Sequence, residues 1–130
     1  MQRVEKNCER HQSVLIVDDS PSIRQIVARA FASAGFEICG EANNGREAIE
    51  QAQHFKPELI LLDFSMPVMN GLQAAPELRK NAPETRIILF TLYSNSLLER
   101  HAHDVGVDSV ISKSEALSVL IDKAQSLLDS

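Results

Sequence analysis

Leu59-Ile60-Leu61-Leu62-Asp63 sets four aliphatic residues side by side and closes them with an acid. A strand with one wet face alternates apolar and polar side chains, because successive residues point to opposite sides of the sheet. A run without alternation is buried on both faces, which is the signature of a parallel sheet covered by helices. Short runs that read as strands recur outward in both directions, at Val14 to Val17, Glu37 to Ala42, Arg86 to Phe90 and Asp108 to Ile111, several of them apolar without alternation. The segments between keep helical spacing instead. Ile23, Ile26, Val27, Ala30, Phe31 and Ala34 form one stripe, and Leu117, Leu120, Ile121, Ala124, Leu127 and Leu128 form another. Five strands alternating with five helical segments make βα units, and right-handed crossovers wind these into a doubly wound α/β fold.

Local punctuation sharpens the boundaries. Ser20-Pro21 supplies an N-cap followed by proline at the first helical position, and Gly35 ends that helix. Asn43, Asn44 and Gly45 read as a turn and a helix start. Ser96 and Glu99 have capping-box spacing, predicting a helix that begins at Ser96 and reaches Val105, and Ser114 is the expected cap of the last helix. Pro76 follows Gly71 closely; inside a helix it costs ~3 kcal/mol, so this helix is predicted to start late or to kink.

With 130 residues and 44% apolar content, the chain is long enough for one domain with its own core. Residues 1–12 are charged and nearly devoid of apolar side chains, so they are expected to be a flexible tail ahead of a domain at 13–130. Cys8 and Cys39 sit in dissimilar contexts without C-x-x-C spacing and are expected to be free thiols in a reducing compartment. No stretch has the apolar length of a membrane span, and Met1 to Gln12 lacks the apolar block of a signal peptide, so a cytoplasmic location is expected. A net charge of −5 with dispersed Lys and Arg argues against direct nucleic-acid binding.

In open parallel sheets ligands bind beyond the carboxyl ends of the strands. Here those ends are Asp18-Asp19, Asp63, Thr91 and, after the fifth run, Lys113. Each alone has an ordinary reading: aspartates cap helices, and a lone lysine is a solvated one. Gathered at one rim, the three carboxylates would repel unless a cation neutralised them. All-oxygen donors suit a hard ion such as Mg2+, which commonly takes one or two protein carboxylates and keeps several waters. A carboxylate can attack phosphorus, and the transferring group then needs its oxygens neutralised rather than a strong base. Asp63 is therefore the expected nucleophile, with the ion on Asp19 and Asp63 directly and on Asp18 through water. The Thr91 hydroxyl and Lys113 ammonium are expected to take the remaining phosphoryl oxygens.

Together, Val14-Leu15-Ile16-Val17-Asp18-Asp19-Ser20, Leu61 to Gly71 with its Met66-Pro67-Val68-Met69-Asn70-Gly71 stretch, Thr91 and Ser112-Lys113 resemble the response-regulator receiver family across residues 13 to 128. The resemblance implies a flavodoxin-like sheet of order 2-1-3-4-5, Mg2+ as cofactor, and the Ser65 carbonyl as a further metal ligand. It implies a histidine kinase or phosphotransfer protein as donor, with small acyl phosphates as substitutes. It also implies a switched surface around the fourth helix and fifth strand, contacting an output protein or a second copy, in a phosphoacceptor that is not a turnover enzyme. Ile38 to Ala48 further resembles receivers joined to LuxR-type DNA-binding domains, so the receiver part of a larger transcription regulator is an alternative.

Three positions depart from the family pattern: Val110 in place of the switch aromatic, Leu92 in place of a small residue after Thr91, and Ser114 in place of a proline. Val110 and Leu92 keep open a pseudo-receiver that only makes contacts, and Ser114 removes any expectation of a cis bond at 113–114. Tyr93 is a candidate to take over part of the signalling. A haloacid-dehalogenase-like phosphatase also forms an aspartyl phosphate but needs an acid two residues after the nucleophile, where this chain has Ser65. His101 and His103, two apart on a helix, do not share a face and carry no metal expectation.

Overall fold

The computed structural model describes residues 12–92 and 94–129. In chain order the elements are β1 (Ser13–Val17), α1 (Pro21–Ser33), β2 (Glu37–Ala42), α2 (Gly45–Phe55), β3 (Leu59–Asp63), α3 (Gly71–Asn81), β4 (Arg86–Thr91), α4 (Ser96–Asp104), β5 (Ser109–Ser112) and α5 (Leu117–Asp129). The five strands form one sheet in the order β2-β1-β3-β4-β5, every neighbouring pair parallel. This is the order the resemblance implies. β1 and β3 lie side by side at the centre, with Val17 opposite Leu62, so the carboxyl ends of these strands emerge together.

The absence of alternation in the apolar runs has the expected cause. Leu15, Val17, Ile60, Leu62, Ile87 and Leu89 pack on one face against Ala48 and Ala52 of α2, Ala74, Ala75 and Leu78 of α3 and Ala102 of α4. Val14, Ile16, Leu59, Leu61, Ile88 and Phe90 pack on the other against Val27 and Phe31 of α1 and Leu120 and Ala124 of α5. Each such aliphatic side chain gains about 1.5–3 kcal/mol from burial, which is what holds a sheet whose central strands are dry on both faces. Among the described residues, no helix is long and apolar enough to cross a membrane.

Ser20 caps α1 with Pro21 at its first position and Gly35 follows its end at φ 95°, all as read from the sequence. Four boundaries differ. α3 does not start late: it begins at Gly71, and Asn70 and Gln73 form a reciprocal capping box, while Ala74, Ala75 and Leu78 are buried on either side of Pro76. Proline removes one hydrogen bond from this helix, and the cap plus the buried face outweigh it. α4 is capped one residue earlier than expected, by the Asn95 side chain on the Leu98 N–H, and Glu99 accepts from the Ser94 hydroxyl instead. Ser114 does not cap α5; its hydroxyl lies 2.7 Å from that of Ser112 in the turn before the helix. Gln12, placed in the tail by composition, already accepts a hydrogen bond from the Glu37 N–H at 2.8 Å. The rest of the expected tail, with Cys8 and His11, lies outside the described residues.

Candidate functional site: an acidic cup at the carboxyl rim

The cup is assembled by chain exits from the two central strands. The Asp18 N–H donates to Ala42 O at 3.0 Å, carrying the β1 pairing one residue past the strand. The chain then turns into α1, and the Asp18 carboxylate accepts from the Ser20 N–H at 2.9 Å. Asp63, the last residue of β3, sits opposite Phe90. Asp18 and Asp63 are 3% and 5% exposed, while Asp19 faces solvent. The three carboxylates each bring one oxygen to within 4.8 Å of the others.

Lys113 reaches the cup because its N–H donates to Thr91 O at 2.7 Å, fixing its backbone beside the end of β4. Its ammonium lies 2.8 Å from Asp18 Oδ2 and 3.1 Å from Asp63 Oδ1, over the Phe90 ring at 5.8 Å. Burial pushes the Asp63 carboxyl above the ordinary carboxylate value, and the Asp18 charge adds to this against the opposing pull of Lys113. Burial works to lower the Lys113 ammonium, but its hydrogen bond to Asp18 and the charges of Asp63 and Asp18 win and hold it above its ordinary value. One ammonium set against three carboxylates leaves the cup with surplus negative charge. All-oxygen donors, this close and underneutralised, fit a hard divalent cation.

The wall beside Asp19 is the loop from Phe64 to Asn70. It is pinned at three points: Gly71 N–H to Phe64 O, Met69 N–H to Pro67 O, and Gly45 N–H of α2 to Met69 O. Val68 at its tip has φ 69°, a left-handed conformation uncommon for a β-branched residue. Asp19, Phe64, Ser65, Met66, Pro67 and Asn70 line a shallow open depression against the cup. Met66 and Met69 pack on the α2/α3 side of the core.

Four of the residues expected from the sequence come together. Asp18, Asp19, Asp63 and Lys113 meet, Thr91 is buried at the adjoining strand end, and Ser65 is exposed on the rim beside Asp19. Leu92 is 64% exposed and so points away from the core, whereas Val110 packs partly buried against the core. Tyr93 lies outside the described residues. Among the described residues no peptide bond is cis, Cys39 is a free thiol, and His101 and His103 are exposed.

One neighbour of the cup escapes sequence reasoning. Arg24 of α1 donates from Nη1 to the main-chain oxygen of Asp18 at 2.6 Å and from Nε to Glu41 of β2 at 3.0 Å. A contact to a carbonyl six residues back obeys neither helical nor strand periodicity, so no local signal marks it.

Residues 14–125 match the response regulator receiver domain family. The chain is similar to the chemotaxis protein CheY of Thermotoga maritima, 37% identical over 77% of this chain and 83% of that one. It is equally similar, at 37% identity over 83% of its length, to the transcriptional regulatory protein PdtaR of Mycobacterium tuberculosis, of which the match covers 52%. The chain spans about half the length of this and several other curated relatives it matches. Among solved structures, a chain of the CheX-CheY-BeF3-Mg+2 complex from Borrelia burgdorferi superimposes with a TM-score of 0.85 and 25% identity, covering 88% of this chain and 87% of that one.

Proposed function

This chain belongs to the response regulator receiver family of two-component signalling, and from that premise we propose that it is a phosphoacceptor switch whose Asp63 takes a phosphoryl group from a phosphohistidine donor. In the transfer the P–N bond of the donor breaks as a P–O bond forms to an Asp63 carboxylate oxygen, and the imidazole leaves. Asp63 needs no separate general base for this, since phosphoryl transfer asks mainly for positioning and neutralisation. Lys113 is placed to follow the phosphoryl oxygens, because its ammonium already spans the nucleophile and Asp18. Thr91, buried one strand away from Asp63, offers a hydroxyl on the same rim. A Mg2+ ion held by Asp19, Asp63 and the Ser65 carbonyl, with Asp18 behind a water, would neutralise charge that builds on the phosphoryl oxygens. The Borrelia relative was solved with Mg2+, which supports this choice of ion.

The observation that carries the reading is the Lys113 ammonium at hydrogen-bonding distance from two buried carboxylates, one of them at the tip of β3. With Ser65 where a phosphatase of the haloacid-dehalogenase type has its acid, the group is accepted and lost rather than turned over. Phosphorylation would then shift an existing equilibrium and alter the surface at α4 and β5, where Leu97 of α4 is 76% exposed and Leu92, in the loop leading to it, is 64% exposed. On this reading the chain works in the cytoplasm, with a histidine kinase or phosphotransfer protein upstream and a protein target or a second copy downstream.

Incubation with Mg2+ and acetyl phosphate should add one phosphate mass to the parent and none to Asp63→Asn, by intact mass spectrometry. A parent that stays unmodified under these conditions, at any magnesium concentration, would mean a receiver fold acting only through contacts. A second reading, that this is the receiver portion of a longer transcription regulator, is favoured by relatives such as PdtaR, of which the match covers about half.

A further inference from the structure

We propose that Arg24 is a positioning residue for the cation site, acting through the Asp18–Asp19 peptide; the inference rests on the metal-binding reading above. Asp18 is held at its N–H, at its carbonyl and at both carboxylate oxygens, by Ala42 O, Arg24, the Ser20 N–H and Lys113 respectively. Asp19 is not held in this way. Among the described residues no hydrogen bond or ion pair fixes its exposed carboxylate. Its direction is therefore inherited from the backbone, and a peptide unit is planar, so fixing the Asp18 carbonyl fixes the plane from which Asp19 departs.

Arg24 is built to fix that plane. Its bond to the Asp18 carbonyl is short, 2.6 Å, and charge-assisted. The guanidinium is itself steadied by Glu41 at 3.0 Å, whose own backbone oxygen accepts from the Gln51 side chain at 2.7 Å. The chain of contacts thus runs from α2 through β2 to α1 and ends on the peptide that aims Asp19. Lysine keeps the charge, but its ammonium is a single point on a flexible stem and does not hold the Asp18 carbonyl and Glu41 in the fixed geometry of the planar fork.

Charge alone and positioning predict opposite signs. Removing a cation from beside an acidic cup tightens cation binding if Arg24 acts only as a charge. Loss of a residue that orients a metal ligand weakens binding about 10-fold or more. Magnesium alone, titrated by calorimetry into the full chain and its Arg24→Gln and Arg24→Lys variants, separates these cases, with melting in EDTA as the measure of folding. Both variants should bind magnesium about 10-fold more weakly. With acetyl phosphate, the half-saturating magnesium concentration should rise by the same factor while the rate at saturation stays near the parent's. Should either variant fail to fold, Glu41→Gln, which loosens Arg24 without touching it, is expected to weaken magnesium binding by a smaller factor. Parental affinity, or tighter binding, in the variants that fold overturns the positioning role. A parent that binds no magnesium overturns instead the reading of the cup on which this one rests.

Discussion

Asp63 is the residue on which chemistry and stability pull in opposite directions. It is nearly buried, and burial followed by the Asp18 charge holds its carboxyl above the ordinary value of 3.8. The folded state therefore keeps that proton more tightly than the unfolded chain does, so this group's contribution to stability falls as pH climbs from about 3.8 through the raised value and stays unfavourable at neutral pH. In EDTA at pH 7, Asp63→Asn, which removes the buried charge, should melt above the parent. The gap should shrink toward pH 3.8 and should also narrow when magnesium neutralises the parent's cup. Equal melting temperatures at neutral pH in EDTA would mean that Lys113 already compensates the buried charge in full. Lys113 has the opposite sign: its raised ammonium stabilises the fold below its ordinary 10.5, a contribution lost only as pH rises through the folded value.

At the scale of elements, the loop between β3 and α3 ties Asp63 to a helix start. A Cβ on Gly71 would run into the Asp63 carbonyl and come within 2.9 Å of Leu89 Cδ1, a buried core atom. Glycine is required at this spot by the close approach of backbone to backbone. Gly71→Ala should cost roughly 1–3 kcal/mol, as overpacking does, and should slow acetyl phosphate uptake because the displaced atoms belong to Asp63 itself. Denaturant melting and the time course of mass gain check the two parts separately. The element boundaries also show what local signals can and cannot decide. Ser20-Pro21 read correctly because both cap and helix start lie within four residues. Ser96 and Glu99 have the right spacing for a cap, yet Asn95 offers an equivalent oxygen one residue earlier, and it is the Asn95 side chain that accepts from the Leu98 N–H.

On the scale of the whole molecule, the two poles of the sheet are held differently. The carboxyl rim carries the cup, whereas the amino rim is closed by Arg79 of α3, which donates to Pro83 O, Thr85 O, Gly106 O and the Asp108 carboxylate. Asp108 in turn accepts from the Ile87 N–H at 2.8 Å, so one side chain ties α3 to the starts of β4 and β5. Arg79→Lys cannot reproduce this fork and should lower stability by about 2–4 kcal/mol. Magnesium affinity should stay unchanged, because the cup is at the other end of the strands; weaker magnesium binding would show the poles to be coupled. By itself the sequence determined the parallel sheet and its five-fold alternation with helices, since a residue buried on both faces must be apolar whatever its neighbours are. It also pointed to Asp18, Asp19, Asp63 and Lys113, which meet in the cup, because each stands at or just beyond a strand end. Only the tertiary structure decided that Lys113 bonds Asp18 as well as Asp63, that α3 runs through Pro76, and that Arg24 grips the backbone leading to Asp19. Such contacts join segments far apart in the chain or off any helical or strand period, and their energy exists only once the sheet has brought the segments together.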